Sequence, residues 1–203
     1  MKTLLPVLLV GAMCLPAHAQ TPVPEVRTLA PPRAVKYRFV REQSSITFEL
    51  PTSFHVIQGK VDAWRGSVEL DPAETGKLKA RIEIRADSIE TGKAKRDLEV
   101  RDHVLDAARF PQIVFEGGTY KGNLSGFEPG ATLTAEVSGT LTMHGVAKPI
   151  QTSIECAVLP DHIVVAGALP VFWHPFGLGD MSKFLVRVKD PMLVAFRLWA
   201  VPE

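Results

Sequence analysis

The chain has 203 residues, of which 46% are hydrophobic and 22% are charged, the balance of an ordinary globular protein rather than a disordered one. Lys and Arg number 23 and Asp and Glu number 22, so the formal net charge at pH 7 is +1. A near-neutral chain without long charge runs gives no reason to expect nucleic acid or an acidic membrane as the main partner.

The N-terminus predicts an export signal. Lys2 supplies a positive start, an apolar run occupies residues 4–15, and Ala17-His18-Ala19 has the small-x-small form that a signal peptidase cleaves. The run is shorter than the roughly 20 residues that a membrane-spanning helix needs. We therefore expect residues 1–19 to be a signal peptide and the protein to be periplasmic or secreted.

The segment that follows predicts a linker. Residues 20–34 contain Pro22, Pro24, Pro31 and Pro32 but no periodic apolar pattern, which is typical of an extended Pro-rich linker.

Cleavage of the signal would remove Cys14 and leave Cys156 as the single cysteine, so no intramolecular disulfide is expected. Cys156 alternates with Ile154 and Val158, which predicts a buried apolar side chain. A reactive thiol is the alternative interpretation.

From Val35 onward, apolar and polar residues alternate with period two, which predicts antiparallel strands with one face in water. The clearest stretch is residues 78–84, where Leu, Ala and Ile alternate with Lys, Arg and Glu, and the pattern returns at residues 132–143 and 150–158. Turn signals separate these segments. Residues 93–108 break the period and predict one short surface helix.

This element pattern predicts an all-β domain over residues 35–203. About eight to ten strands with one helix form either a sandwich or a closed barrel, and closure is favoured because long strands would otherwise leave hydrophobic edges. The interior of an eight-stranded barrel is either filled by side chains or holds one small ligand.

Apolar residues on the predicted inner face are the candidate ligand contacts. The small residues Gly66, Ala80 and Gly139 on that face favour a cavity over a filled core. The apolar segment 173–177 is a candidate cap over an opening. The candidate ligand-binding residues are Phe48, Phe54, Trp64, Val68, Ile82, Phe115, Val137, Leu141, Ile154, Phe172, Trp173, Phe176 and Phe196.

The sequence contains no recognisable catalytic or metal-binding motif. The six histidines show no H-x-x-x-H spacing, and there is no G-x-S-x-G segment and no Cys/His dyad. We therefore expect no catalysis, no metal and no covalent cofactor. Arg96-Asp97 and Arg101-Asp102 form compact charge clusters on the predicted helix, either as a solvated face or as a basic rim that meets a polar head group.

Several of these segments together resemble the YceI family of polyisoprenoid-binding proteins. The order and spacing of the motifs agree from about residue 36 to about residue 200, and the most specific motif is GTLTMHGVAKP at residues 139–149. The other resembling segments are residues 44–48, 59–70, 91–97 and 109–115.

This resemblance implies a lipocalin-like antiparallel β-barrel of about eight strands with one short helix against it, usually exported to the bacterial periplasm. It implies an isoprenoid chain, as a quinone tail or a polyprenyl lipid, sequestered inside the barrel without any reaction. Transient membrane contact and a homodimer are the further partner interactions that we expect.

The chain departs from the family pattern at two positions. Many relatives carry a Lys-His pair where this chain has Leu-Pro-Thr-Ser at residues 50–53, and many carry a histidine where this chain has Glu99. The departures leave the head-group preference open. Two other functions also stay open: a non-catalytic periplasmic stress-associated or protein-interaction module with a filled barrel, and a quinone-linked redox accessory.

Overall fold

Eight antiparallel strands form a closed ring in the computed structural model, which describes residues 34–71, 74–122, 127–179 and 187–203. Three further strands extend the wall at one end of this ring. The strands are β1 (Val35–Phe39), β2 (Ser45–Pro51), β3 (Val56–Val61), β4 (Trp64–Leu70), β5 (Lys77–Arg85), β6 (Ile89–Glu90), β7 (Gln112–Gly122), β8 (Thr132–Met143), β9 (Val146–Val158), β10 (Ile163–Val171) and β11 (Met192–Pro202).

The ring follows the order β1, β4, β5, β7, β8, β9, β10 and β11, and it closes where β11 pairs with β1. The closing register places Tyr37 opposite Pro202 and Phe39 opposite Ala200. The same edge of β11 pairs with β2 further along, so β1 and β2 lie end to end against one strand. The prediction of a closed antiparallel barrel is confirmed.

The hydroxyl group of Ser44 helps to stabilise the break between β1 and β2. Ser44 Oγ donates a hydrogen bond to the carbonyl oxygen of Val40 at 2.6 Å and accepts one from the backbone N–H of Trp199 at 2.9 Å. A short 3-10 turn, Arg41–Gln43, fills the gap. The chain therefore changes direction here without losing contact with β11.

A helical segment connects β6 to β7 in the chain and packs against the barrel. Helix α1 (Ala94–Glu99) continues into a π-helical turn (Val100–Val104), and Val100, Val104 and Leu105 pack against the core. The predicted short helix at residues 93–108 is thus confirmed, with helical backbone over residues 94–104. None of the helices in the described part of the chain has the length and hydropathy of a membrane-crossing segment.

The alternating sequence pattern corresponds to the two faces of the wall. On β5, Leu78 is buried and faces inward, whereas Lys79 faces outward and pairs with Glu69 at 3.0 Å. The outward Glu83 accepts hydrogen bonds from Arg81 and Arg65, and these bonds lower the pKa of its carboxyl group. Charged pairs thus cover the wet face of this strand.

Buried apolar residues form two clusters, one at each end of the barrel. The helix-end cluster contains Leu50, Leu105, Met143, Trp173 and Phe176, among others. The far-end cluster includes Tyr37, Phe39, Trp64, Ile163 and Leu198. The predicted signal peptide and all but the last residue of the predicted linker, residues 1–33, lie outside the described residues.

Candidate ligand-binding cavity

A cavity of about 960 Å³ occupies the inside of the barrel. Its lining includes Leu50 and Met143 from the helix-end cluster and Phe39 and Ile163 from the far-end cluster, so it extends between the two. This volume is at the upper end of the roughly 300–1,000 Å³ that is usual for small-molecule sites. The interior is therefore hollow.

The partial burial of inward-facing side chains also indicates that the interior is hollow. Val68, Ile82, Phe115, Leu141 and Phe196 line the cavity, yet each is only partly buried. A close-packed core would bury such side chains fully. Their remaining exposed surface faces the cavity, which makes most of its lining apolar.

Three phenylalanine rings lie on glycines of the barrel wall. A Cβ built on Gly167 would stand 2.6 Å from Cζ of Phe196, and one built on Gly139 would stand 2.7 Å from Cε2 of Phe115. The ring of Phe48 covers Gly59 in the same way. The rings use the space that these glycines leave empty instead of crossing the interior.

Of the three small residues that were predicted to favour a cavity, only one lines it. Ala80 does line the cavity, but Gly66 and Gly139 do not. A Cβ at Gly66 would collide with the carbonyl oxygen of Arg81, and one at Gly139 with that of Glu116. These two glycines permit close approach of neighbouring strands, and their small size adds no direct space to the interior.

The charged part of the lining lies at the helix end. Every charged residue and histidine among the described lining residues comes from the β2–β3 turn or from the segment between β6 and the π-helical turn. These residues are His55, Lys93, Lys95, Arg96, Glu99 and His103. We call this region the mouth. At the far end the lining includes Tyr120 and Phe127, and Phe127 packs edge-on against Tyr37 with ring centroids 6.0 Å apart.

A hydrogen-bonded network fixes the helix beside the mouth. Asp97 Oδ1 accepts hydrogen bonds from the backbone N–H and the hydroxyl of Thr91, the first at 2.7 Å. Arg96 donates from Nε to Thr91 Oγ1 and from Nη2 to the Thr91 carbonyl oxygen, both at 2.6 Å. Thr91 itself is buried.

The two charge clusters predicted on the helix therefore differ in their roles. Arg96 and Asp97 attach the helix to the barrel, and Arg96 also lines the mouth. Arg101 and Asp102 bond to each other at 2.7 Å on the exposed face. The second cluster is a solvated pair, as one of the two interpretations expected.

The segment after β10 packs into the helix end of the barrel. Trp173 is fully buried and lines the cavity, its backbone N–H donates to Asp190 Oδ1 at 3.1 Å, and its Nε1 donates to the carbonyl oxygen of Lys189 at 3.3 Å. His174 Nδ1 lies 2.7 Å from Asp190 Oδ2. Leu178 also lines the cavity.

Cys156 lines the cavity at its far end and is buried, which confirms the burial predicted from its alternation. Burial raises the pKa of its thiol to about 11. The thiol is therefore protonated at neutral pH, and the low-pKa environment of a reactive cysteine is missing at this residue.

Nine of the thirteen predicted ligand-binding residues line the cavity together. The nine are Phe48, Val68, Ile82, Phe115, Val137, Leu141, Ile154, Trp173 and Phe196. Trp64 is instead buried against Phe39 in the far-end cluster, with ring centroids 6.3 Å apart, and Phe176 is buried in the helix-end cluster. Ligand contact stays a prediction for all of them.

Phe54 and Phe172 do not lie on the inner face as the sequence pattern indicated. Their exposed fractions are 71% and 55%. Phe54 lies in the β2–β3 turn, where Thr52 Oγ1 accepts its backbone N–H at 3.3 Å, and Phe172 follows the last residue of β10. The period-two alternation has ended at both positions, so it no longer determines which way the side chain points.

Apart from the basic rim considered at Arg96, the mouth residues are absent from the predicted ligand-binding residues, because strand alternation does not extend to turns and helices. Lys93, Lys95, Val100 and His103 belong to the helical region. The helical spacing of the apolar residues within 93–108 does indicate this region, because it implies that one face of the helix packs on the barrel.

Comparison with known proteins agrees with this architecture. A polyisoprenoid binding domain from Saccharophagus degradans, implicated in plant cell wall breakdown, is 20% identical with a TM-score of 0.69 over 82% of this chain and 98% of that chain. Burkholderia cenocepacia BcnA is 20% identical, with a TM-score of 0.69 over 80% of this chain and 99% of that chain. A Campylobacter jejuni YCEI protein is 18% identical, with a TM-score of 0.57 over 72% of this chain and 85% of that chain.

At these identities the solved structures are evidence of a shared fold. No curated protein sequence matches the chain. A family model described as a YceI-like domain matches residues 37–200, which is nearly all of the barrel. With this match and the closed, hollow barrel, the chain belongs to the YceI-like family.

Proposed function

We propose that this protein is an exported carrier that sequesters an isoprenoid lipid, a quinone or a polyprenyl chain, inside the barrel without a chemical step. The observation that carries the proposal is the apolar cavity of about 960 Å³ between the two ends of the barrel. The Saccharophagus degradans domain of the same fold, described as polyisoprenoid binding, supports it.

The physical driving force is the transfer of hydrocarbon out of water. Each buried CH₂ group contributes about 0.8 kcal/mol, so a chain of several isoprene units gains enough to offset the loss of its freedom. A branched, flexible hydrocarbon also suits a lining made of Leu, Ile, Val and Phe side chains. The hollow interior favours this function over the module with a filled barrel.

The distribution of polar groups favours one orientation of the ligand. The head group would lie at the mouth beside His55, Lys93 and Lys95, and the tail would extend towards Phe127. The reverse orientation would place a polar head at the far end, where the described lining includes Tyr120 but no charged residue and no histidine, and each hydrogen bond left unmade there costs about 1–3 kcal/mol.

A cavity-filling substitution tests the proposal. Ile154 lines the cavity, and its neighbour Ser153 faces outward on the same strand. We expect Ile154→Trp to displace the ligand and Ser153→Trp to leave it in place, because only the first side chain enters the cavity. Native mass spectrometry after purification from the periplasm, followed by organic extraction, measures the bound lipid.

A stoichiometric isoprenoid on the parent protein and on Ser153→Trp, with loss from Ile154→Trp, is the expected result. An empty parent protein whose melting temperature does not respond to added quinone or polyprenyl lipid would overturn the proposal. The same spectra give the mass of the assembly and so test the predicted homodimer.

A further inference from the structure

Exposed apolar side chains concentrate at the end of the barrel that carries the mouth. Seven large hydrophobic residues are exposed in the described part of the chain. Val35 and Leu159 lie at the far end. The other five lie at the helix end and are Phe54, Val56, Leu98, Phe172 and Leu193. Exposed apolar residues gathered in one region mark an interaction surface.

Hydrogen bonds join the segments that carry Phe54 and Phe172 into one continuous rim. The N–H of Ser53, next to Phe54, donates to the carbonyl oxygen of Arg187 at 2.9 Å, and the N–H of Lys189 donates to that of Pro51 at 2.8 Å. The following residue, Asp190, accepts the backbone N–H of Trp173, which adjoins Phe172. The β2–β3 turn, residues 187–190 and the end of β10 therefore form one surface.

The same region carries four exposed cations. Lys93 and Lys95 line the mouth, and Arg187 and Lys189 are exposed beside the β2–β3 turn. None of the four forms an ion pair with a residue in the described ranges.

Several cations on the barrel wall are paired instead. Lys60 pairs with Glu90 at 3.0 Å, and Arg85 pairs with Asp87 at 2.6 Å. The formal net charge of the whole chain is only +1, so the positive charge of these four unpaired residues is a local feature.

We propose that this end of the barrel docks on an anionic lipid bilayer, with Phe54 and Phe172 inserted at the level of the head groups and Lys93, Lys95, Arg187 and Lys189 against the anionic lipids. Aromatic side chains prefer the membrane–water interface, and basic residues beside them are attracted to anionic lipid. The mouth then opens towards hydrocarbon, so an isoprenoid chain enters the cavity without crossing water. In this last step the inference rests on the proposed function.

Binding to lipid vesicles tests the docking directly. We expect the protein to sediment with vesicles of phosphatidylcholine mixed with phosphatidylglycerol, to sediment poorly with phosphatidylcholine alone, and to be released by salt. Arg187→Gln combined with Lys189→Gln should weaken binding about 25-fold, since each basic residue at an anionic surface contributes about a factor of five. Phe54→Ser combined with Phe172→Ser should weaken it at least about tenfold.

Matched variants at the far end serve as controls. Val35→Ser with Leu159→Ser removes exposed apolar surface there, and Lys77→Gln with Lys121→Gln removes two charges. These variants should bind vesicles as the parent protein does. Equal losses in the control and rim variants, or binding that ignores phosphatidylglycerol, would overturn the proposal.

A fluorescent variant provides a second readout. Phe54→Trp keeps an aromatic ring at the rim, and its emission should shift to shorter wavelength when anionic vesicles are added. A Val35→Trp variant at the far end should show no such shift. An unchanged Phe54→Trp spectrum in the presence of bound vesicles would also contradict docking through this rim.

Uptake of lipid separates the docking from the proposed function. Phe54→Ser with Phe172→Ser should still bind an isoprenoid quinone supplied in detergent, because neither side chain lines the cavity, but should extract it slowly from vesicles. A parent protein that docks on vesicles yet binds no isoprenoid in detergent would contradict the proposed function alone. One that binds isoprenoid but ignores vesicles would contradict the docking alone.

Discussion

Two glycines on neighbouring strands have opposite surroundings. A Cβ at Gly139 on β8 would collide with the carbonyl oxygen of Glu116 and the ring of Phe115, whereas one at Gly118 on β7 would meet nothing within 4 Å. The first glycine is required by packing between strands, and the second is not. This contrast explains how one residue type has different importance within the same wall.

We predict that Gly139→Ala destabilises the barrel by about 1–3 kcal/mol, because the new methyl group must displace backbone or the Phe115 ring. Gly118→Ala should change the free energy of unfolding by less than about 0.5 kcal/mol. Urea denaturation of both variants measures the difference. Similar values for the two would show that the wall relaxes freely around Gly139.

Cys156 predicts a dependence of stability on alkaline pH. The thiol has a pKa of about 11 in the folded protein against an ordinary 9.0, so the unfolded chain releases its proton first. The contribution of the protonated Cys156 thiol to the free energy of unfolding is complete below pH 9 and is lost as the pH rises towards 11. Replacing Cys156 by alanine should remove this part of the decline, as urea titrations of both proteins from pH 8 to pH 11 will measure.

Alkylation of the thiol gives an independent check. For the chain from residue 20 onward, where Cys156 is the only cysteine, iodoacetamide at pH 8 should react about 100-fold more slowly with the folded than with the unfolded protein, because the thiolate is the reactive form. A rate that equals that of the unfolded chain would mean that the thiol is neither buried nor raised in pKa.

At the scale of elements, helix α1 depends on a few polar contacts with Thr91. Asp97→Ala would leave the backbone N–H and the hydroxyl of this buried threonine without their acceptor, at a cost of about 1–3 kcal/mol. We expect faster hydrogen exchange over residues 94–104 and faster ligand exchange, with the strands still protected. The movement of one helix, rather than of the barrel, would then control access at the mouth.

Asp102→Ala is the matched control on the same helical segment. Asp102 bonds only to its exposed neighbour Arg101 among the contacts described, so its loss should leave exchange over residues 94–104 unchanged. Equal acceleration in both variants would show that charge on the helix matters more than the attachment to Thr91.

Strands and helix could be predicted because local alternation determines them: the separate alternating stretches at residues 35–39 and 46–50 correspond to β1 and β2. That both strands pair with the same edge of β11 could not be predicted. The turn between them is held by contacts with Trp199, which is 155 residues from Ser44 in the sequence. No local pattern contains that partner.

At the scale of the whole molecule, the closed barrel was predictable and its hollowness was only partly so. Alternation places Val68, Ile82 and Leu141 on the inner face, and all three line the cavity. Alternation does not say whether rings such as Phe196 cross the interior or lie flat on a glycine of the next strand. That depends on register between strands.

The mouth is a property of the assembled barrel. His55 comes from the β2–β3 turn and Lys93 and His103 come from the helical region, and only the ring of strands brings these two segments to the same end. Each of these residues appears in the sequence as an ordinary surface residue. The family resemblance indicated a lipid-binding barrel, but which end of the cavity carries the charged residues required the structure.

Closure of the ring by β1 and β11 has a consequence for folding. Tyr37 and Pro202, which pair in the closing register, are separated by most of the sequence, so this contact carries a large loop-closure entropy and forms late. Until β11 docks, β1, β2 and β10 each keep an unpaired edge, and such edges pair readily with other chains. The last strand therefore protects the nascent barrel from aggregation, and a chain that stops before it would be expected to associate rather than to form a smaller barrel.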